Sequence, residues 1–529
     1  MAPNSTAAKE AILELPFQMR KFSTPELNIP NTSWRLSVID LGYNSLKMVS
    51  YEVRPDGSFR AYDQRGELTK IGEGLDKTGR LSKEGIERTT RVINLLNEIN
   101  RMEKVDRVLA VATSAVREAK NGPQFVRMVE SKTKLRFRVL TRQEEALYSY
   151  IGGARATTFP TVLFFDLGGG SLELTYAEDG KIKELLSLPL GALRLTEAYG
   201  MRDGGYAKRD YDKLKLKIDK LLPSRHGLKL DDKTVLIGVG GTVRALARYD
   251  QWKNGYQLNK IHNYVIRRKS VMECHKTLRN LTTDKISRID SFGKDRAESV
   301  TTGSLIIAML MDKLDFGELI VSTHGLRDGV LVDYLKSPRS FQTGKFDIER
   351  ANSFLDTSRI ENSKTSLIRG LFRLGLLSKS EETILAEAVG TFMDLYLSTR
   401  PETLFYSIIS LDSRLNHKEQ MAEAIALVWA KSPKMARWYL EHYSPILSGI
   451  DRQSIYRMGA VVALVEILHR TGSKAVVGSR KKEIVIEVGS VMGMSFPHLL
   501  LREAVEELES SMGRRVRIEI RDETNGSMK

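Results

Sequence analysis

The chain has a single cysteine, Cys274, in 529 residues, so no disulfide framework can hold it and a reducing, cytoplasmic setting is expected. Long hydrophobic runs are missing as well. Stretches such as Ala460 to Val465 fall far short of the ~20 apolar residues a membrane span needs, so no membrane partner is expected. Residues 1–33 contain no apolar signal core and read as a polar extension. The eight histidines are scattered without ligand spacing. Zinc-finger spacing, an aromatic-studded RNA-binding motif and a compact basic helix are all absent, which argues against a nucleic-acid partner. Positive charge, in contrast, is in excess: 82 Lys and Arg against 66 Asp and Glu, a net +16. That balance fits either a generic basic surface or a polyanionic partner. The length allows roughly three or four domains of ordinary size.

The chain is organised around Val162 to Ala177. An apolar run, Val162 to Phe165, reads as a buried strand ending at Asp166; Gly168, Gly169, Gly170 and Ser171 then precede a second strand, Leu172 to Tyr176. Such a turn bends tightly and brings its N–H groups close to an anion. The same pattern occurs earlier. Leu36 to Ile39 leads through Asp40 and Leu41 into Gly42, Tyr43, Asn44 and Ser45, then Leu46 to Val53, and an Asp56-Gly57 turn matches Asp179-Gly180. Two copies imply two related halves, each offering a loop of amides and a carboxylate to one cleft. A third glycine turn, Gly240-Gly241-Thr242, follows the apolar strand Thr234 to Val239 and opens a helix. It suits either a phosphate at the helix N-terminus or close strand–helix packing.

Strands and helices alternate as far as about residue 337, as in an α/β fold. Arg107 to Ala112 reads as a strand with Arg117 just beyond its end, where ligands gather in open α/β sheets. Gln143 to Ile151 begins a helix carrying Glu144 and Glu145. Past Ser337 the texture changes, and Leu367, Leu371 and Leu374 begin a series of helix-period apolar faces. Gly472 to Lys482 reads as a basic loop, and a small strand–helix–strand ending follows.

With these turns in place the chain resembles the exopolyphosphatase and guanosine pentaphosphate phosphohydrolase (Ppx/GppA) family over about residues 34–337. Five motifs carry the likeness in order: Asp40 to Ser45, Ala112 to Asn121, Glu144-Glu145-Ala146, Asp166 to Glu173 and Gly238 to Ala247, with Gly325-Leu326-Arg327 as a sixth. The resemblance implies an α/β fold of two ribonuclease-H-like domains, of the actin-like ATPase superfamily, around a cleft. Residues 34–155 and 156–340 would form them. An all-α HD-like domain is expected over 345–475, without the His-Asp metal pair of such domains, then a small α+β segment over 476–529, and a homodimer.

The implied reaction is magnesium-assisted attack of water on a terminal phosphoryl group. By the family match Glu145 is the general base, with Arg117 and Glu173 completing the catalytic set. Phosphate would be held by Gly42, Tyr43, Asn44, Ser45 and Lys47, by Gly168, Gly169, Gly170 and Ser171, and by Gly240, Gly241, Thr242 and Arg327. Asp40, Asp166 and Glu173 are hard oxygen ligands suited to Mg²⁺ or another divalent cation. Inorganic polyphosphate is the leading substrate. Guanosine pentaphosphate is the alternative, as is a weakly catalytic phosphate or nucleotide sensor. Four departures bear on that choice. Tyr43 stands where the family usually has serine or threonine, and Lys47 replaces arginine or histidine, losing any bidentate grip. Thr141-Arg142-Gln143 replaces a Ser-Gly turn, and Leu172 a threonine. No carboxylate is lost, so activity is expected and substrate preference is open.

Overall fold

The computed structural model describes residues 32–55, 59–157, 159–199, 206–338, 341, 346–350, 366–470, 475–480, 483–490 and 498–522. The Asp56-Gly57 turn and most of the N-terminal extension lie outside them. The first half runs through β1 (Trp34–Leu41), β2 (Ser45–Val53), β3 (Phe59–Leu68), α1 (Leu75–Thr78) and α2 (Lys83–Met102). It continues with β4 (Arg107–Ala112), α3 (Ser114–Glu118), α4 (Gly122–Thr133), β5 (Phe137–Val139) and α5 (Arg142–Ala154). The second half opens with β6 (Val162–Leu167), β7 (Leu172–Glu178), β8 (Lys181–Leu188), α6 (Ala192–Tyr199), α7 (Lys208–Leu221), β9 (Val235–Val239) and α8 (Gly241–Lys253). It closes with β10 (Val265–Arg267), α9 (Arg268–Arg279), α10 (Thr283–Ser287), α11 (Gly293–Ala297), α12 (Val300–Lys313), β11 (Glu318–Val321) and α13 (Leu326–Lys336).

Two mixed sheets result, ordered β3-β2-β1-β4-β5 and β10-β11-β9-β6-β7-β8. In each, an antiparallel meander is extended by parallel strands, β4 and β5 in one, β9 and β11 in the other. This is the duplication read from the two Asp-Leu-Gly turns, and it holds at the level of single bonds. Gly42 N–H donates to the Ser45 carbonyl at 3.0 Å, and Gly168 N–H to the Ser171 carbonyl at 3.0 Å. Asp40 faces Lys47 across β1 and β2, while Asp166 faces Glu173 across β6 and β7. Val162 to Phe165 is buried throughout, the pattern of a central strand covered on both faces.

Helices α5 and α13 cross where neither carries a side chain. A Cβ on Gly152 would meet the Gly325 carbonyl oxygen at 2.0 Å, and one on Gly329 would meet that of Tyr148 at 2.0 Å. Backbone-to-backbone contact therefore seats the helix bearing Glu145 flush against a helix of the second half.

The described residues from 366 onward form a second compact unit. Its helices are Ser366–Arg373, Lys379–Ser398, Pro401–Ser410, His417–Lys431, Pro433–His442 and Arg452–Arg470. A sheet ordered β12 (Ala475–Arg480), β13 (Glu483–Ser490) and β14 (Val516–Asp522) follows, with helix His498–Met512 linking the parallel pair β13 and β14. The expected basic loop is, in its described part, a strand: Ala475 to Arg480 pairs antiparallel with β13, and Val477 packs on Gly370. Pairing with a neighbour decided this, which a short Gly- and Ser-containing stretch does not reveal locally. Among the described residues no helix is long and apolar enough to cross a membrane.

If the α5–α13 crossing needs bare backbone, Gly329→Ala or Gly152→Ala will cost about 1–3 kcal/mol in urea unfolding. Gly317, with nothing within 4 Å of its would-be Cβ, is the control and should tolerate alanine.

Candidate active site

The two hairpin turns and the N-terminus of α8 line one cavity of about 110 Å³. Of the expected residues, Asp40, Gly42, Tyr43, Asn44, Ser45, Lys47, Glu145, Asp166, Gly168, Gly169, Gly170, Ser171, Glu173, Gly240, Gly241 and Thr242 line it. Arg117 and Arg327 are not in the lining. Arg117 reaches the cavity through a 2.7 Å ion pair to Glu145, and the charge of Arg327 acts on Asp40 and Lys47.

The glutamate doublet sits in the first turn of α5, which Thr141 caps: its hydroxyl accepts from Glu144 N–H at 3.2 Å, and Glu144 Oε2 accepts from Thr141 N–H at 2.9 Å. The two carboxylates then diverge. Glu144 pairs with Arg138 and accepts the Phe346 N–H, so it is structural. Glu145 enters the cavity, buried, with Arg117 donating to its Oε2. Burial, reinforced by Asp166 and Asp40 and only partly relieved by Arg117, pushes the Glu145 carboxyl up to about 7. Burial, with Glu145 and Asp166 nearby, also holds Glu173 well above the usual carboxylate range. Asp40 is raised by burial with Asp166 adding to it, against the pull of Lys47 and Arg327. Ser149 donates to Asp166 at 2.7 Å and Ser187 to Glu173 at 3.1 Å. These carboxylates offer oxygen donors only, the kind of ligand a hard cation such as Mg²⁺ takes.

A cationic group answers the carboxylates. Burial, with Arg244, Arg327 and Arg296 adding to it against the pull of Asp40, pushes the Lys47 ammonium down to about 7. Burial and the same arginines lower Arg244 to about 10. Burial lowers Arg296 as well, and its guanidinium lies where a Cβ on Gly241 would meet it at 2.2 Å. Arg327 Nη1, like Arg117 Nε and Nη2, is buried with no hydrogen-bond partner among the described residues. Arg296 lines the cavity and Arg244 acts on Lys47 from outside the lining; neither was among the expected site residues. Arg244 had a local signal, one turn into the helix opened by Gly240-Gly241; Arg296 had none, since it arrives from the distant α11. Half-buried like charges this close together raise one another's cost of charging, which an anion would lower.

A family model described as the Ppx/GppA phosphatase family matches residues 53–338, more than half of the 529 residues. The chain belongs to this family. Exopolyphosphatase 2 of Mycobacterium tuberculosis is 26% identical over 310 residues, covering 56% of this chain and 97% of that protein. The bifunctional 3-dehydroquinate synthase/phosphatase of Fusobacterium nucleatum is 25% identical over 307 residues, covering 56% of this chain and 46% of that protein. The crystal structure of an exopolyphosphatase from Cytophaga hutchinsonii shares the fold, with a TM-score of 0.53 at 22% identity over 57% of this chain and 97% of that one. The match to the Ppx/GppA family ends before the helical unit.

Within the Ppx/GppA frame the departures are accommodated. The Tyr43 ring lies between Gly72 and Gly170 with the Arg194 guanidinium 5.3 Å from its centroid. Its bulk is thus taken up by packing. Leu172 is fully buried in the second-half core, and Thr141 supplies the helix cap.

Because Glu145 holds its proton more tightly in the folded chain, between the ordinary carboxylate range and about 7 stability falls as pH rises. In EDTA at pH 8, Glu145→Gln should therefore stabilise the protein by about 1–3 kcal/mol in urea unfolding, and the gain should vanish by about pH 5.

Proposed function

We propose that the chain is an exopolyphosphatase, releasing orthophosphate from the end of inorganic polyphosphate. The observation that carries this reading is the charge around the cavity: Glu145, pushed up to about 7, stands among carboxylates, while Lys47 and Arg296 share the lining and Arg244 and Arg327 act on Lys47 from just outside it. In the reaction a water oxygen attacks the terminal phosphorus, the bridging P–O bond breaks toward the shortened chain, and the water's proton passes to Glu145. A carboxylate poised near neutrality suits that transfer. Arg117 occupies Oε2, which leaves Oε1 to take the proton. The amides of the glycine turns, with Ser45 and Ser171, orient phosphoryl oxygens while the cations offset their charge. Asp40, Asp166 and Glu173 fit a hard divalent cation such as Mg²⁺, which when bound supplies further charge neutralisation at those oxygens.

Relatives named exopolyphosphatase support the reading, and so does the net charge of +16, since a long polyanion gains from distributed basic groups. Guanosine pentaphosphate is less favoured because the only ring in the cavity lining among the described residues, Tyr43, is itself packed and buried, leaving no platform for a base.

Phosphate release from long-chain polyphosphate by the purified protein tests the proposal. Release should require Mg²⁺, stop with EDTA, and fall by about 10²-fold or more in Glu145→Gln. Arg296→Ala should raise KM by about tenfold or more, as expected for a lost charge-assisted contact. Turnover of guanosine pentaphosphate without polyphosphate turnover would replace the proposal, and binding of either without turnover would favour a sensor.

A further inference from the structure

Arg194, on α6, belongs to none of the groups assigned above to substrate or cation, yet it is almost fully buried and joins both halves. Its Nη1 donates to the Gly170 carbonyl at 2.8 Å, its Nη2 to Glu118 at 2.6 Å, and its Nε lies 3.1 Å from Asp76. The backbone N–H groups of α6 complete the grip: Ala192 donates to the Gly168 carbonyl at 3.0 Å, and Leu193 and Arg194 to that of Gly169 at 3.1 and 3.0 Å. All three carbonyls of the Gly-Gly-Gly turn are thereby tied to one helix.

Glu118 is the other end of the connection. It follows Arg117, the partner of Glu145, and also accepts from Arg142, the first residue of α5, at 3.1 Å. Burial pushes the Glu118 carboxyl up, but hydrogen bonds and charge from Arg194 and Arg142 bring it below the usual range. The same rim carries Gly74 N–H donating to Glu197 of α6 at 3.2 Å, and Lys70 paired with Glu298 at 2.7 Å. Exposed ion pairs contribute little. Arg194 differs because its removal takes the side-chain donor from the Gly170 carbonyl and from Oε2 of the half-buried Glu118, which keeps only Arg142 at Oε1.

We propose that Arg194 is a positioning residue that locks the second glycine turn of one half to α3 of the other, so that the phosphate-facing turn and the Arg117–Glu145 pair hold one geometry. Only its kinetic consequence rests on the phosphohydrolase reading. A planar guanidinium donates to the Gly170 carbonyl and to Glu118 from two nitrogens in fixed geometry, with Asp76 paired by charge, whereas a lysine ammonium is a single point charge on a flexible stem. Phosphoryl transfer, which depends on alignment, is sensitive to small displacements.

The test compares full-length wild type, Arg194→Lys, Glu118→Gln and the double variant. Hydrogen exchange over 168–171 should accelerate about tenfold or more in each variant, with 162–166 unchanged, because the turn opens locally. With polyphosphate and Mg²⁺, kcat should fall about 10- to 100-fold while KM moves less than about threefold. The double variant should be no worse than the worse single one, the mark of a shared interaction. Wild-type exchange at the turn in Arg194→Lys and Glu118→Gln overturns the proposal, as does additive loss in the double variant. Should Arg194→Lys fail to fold, Glu118→Gln decides the exchange arm. A wild type that releases no phosphate removes the phosphohydrolase reading, and exchange still decides the role of Arg194.

Discussion

Burying Glu145 and Glu173 beside the half-buried Asp40 and Asp166 costs free energy that the protein offsets only in part, through Arg117 at Glu145, a serine hydroxyl at Glu173, and Lys47 and Arg327 at Asp40. The cations carry the opposite burden: burial and neighbouring arginines make Lys47, Arg244 and Arg296 less basic, and Arg327 has a nitrogen without a hydrogen-bond partner among the described residues. Neither group can relax into the other, because the strands and helices that carry them are fixed by packing. An anion beside the cations and a hard cation beside the carboxylates would relieve both, in keeping with the function proposed above.

Duplication explains how such a cavity arose from ordinary parts. The two Asp-Leu-Gly turns have the same hydrogen bond and the same register, yet the residue facing each aspartate has opposite charge, Lys47 in one copy and Glu173 in the other. One geometry thus presents a cation in the first half and an anion in the second. At this one facing position the two copies differ in a single side chain rather than in fold.

Rigidity is supplied away from the chemistry. The capping box of Thr141 and Glu144 fixes the start of α5, and the Gly152 and Gly329 contacts fix its path against α13. Glu145 is therefore aimed by a helix held at both ends, with its neighbour Glu144 spent on structure. Arg194 and Glu118 extend the same logic across the cleft mouth.

Local chemistry along the chain was enough to place the hairpins, the repeated turns, the glutamate doublet and the α/β alternation, because strand periodicity, glycine turns and helix caps are short-range properties. Asp40, Lys47, Asp166 and Glu173 were legible as candidates for the same reason. The motif match pointed to Glu145 of the two adjacent glutamates, but the structural use of Glu144 was not determined by pattern, nor was the burial of the Tyr43 ring, the strand at Ala475 to Arg480, or the arrival of Arg296 and Arg194. Those depend on contacts between segments far apart in sequence, where burial and neighbouring charge set both the direction of a side chain and its proton affinity.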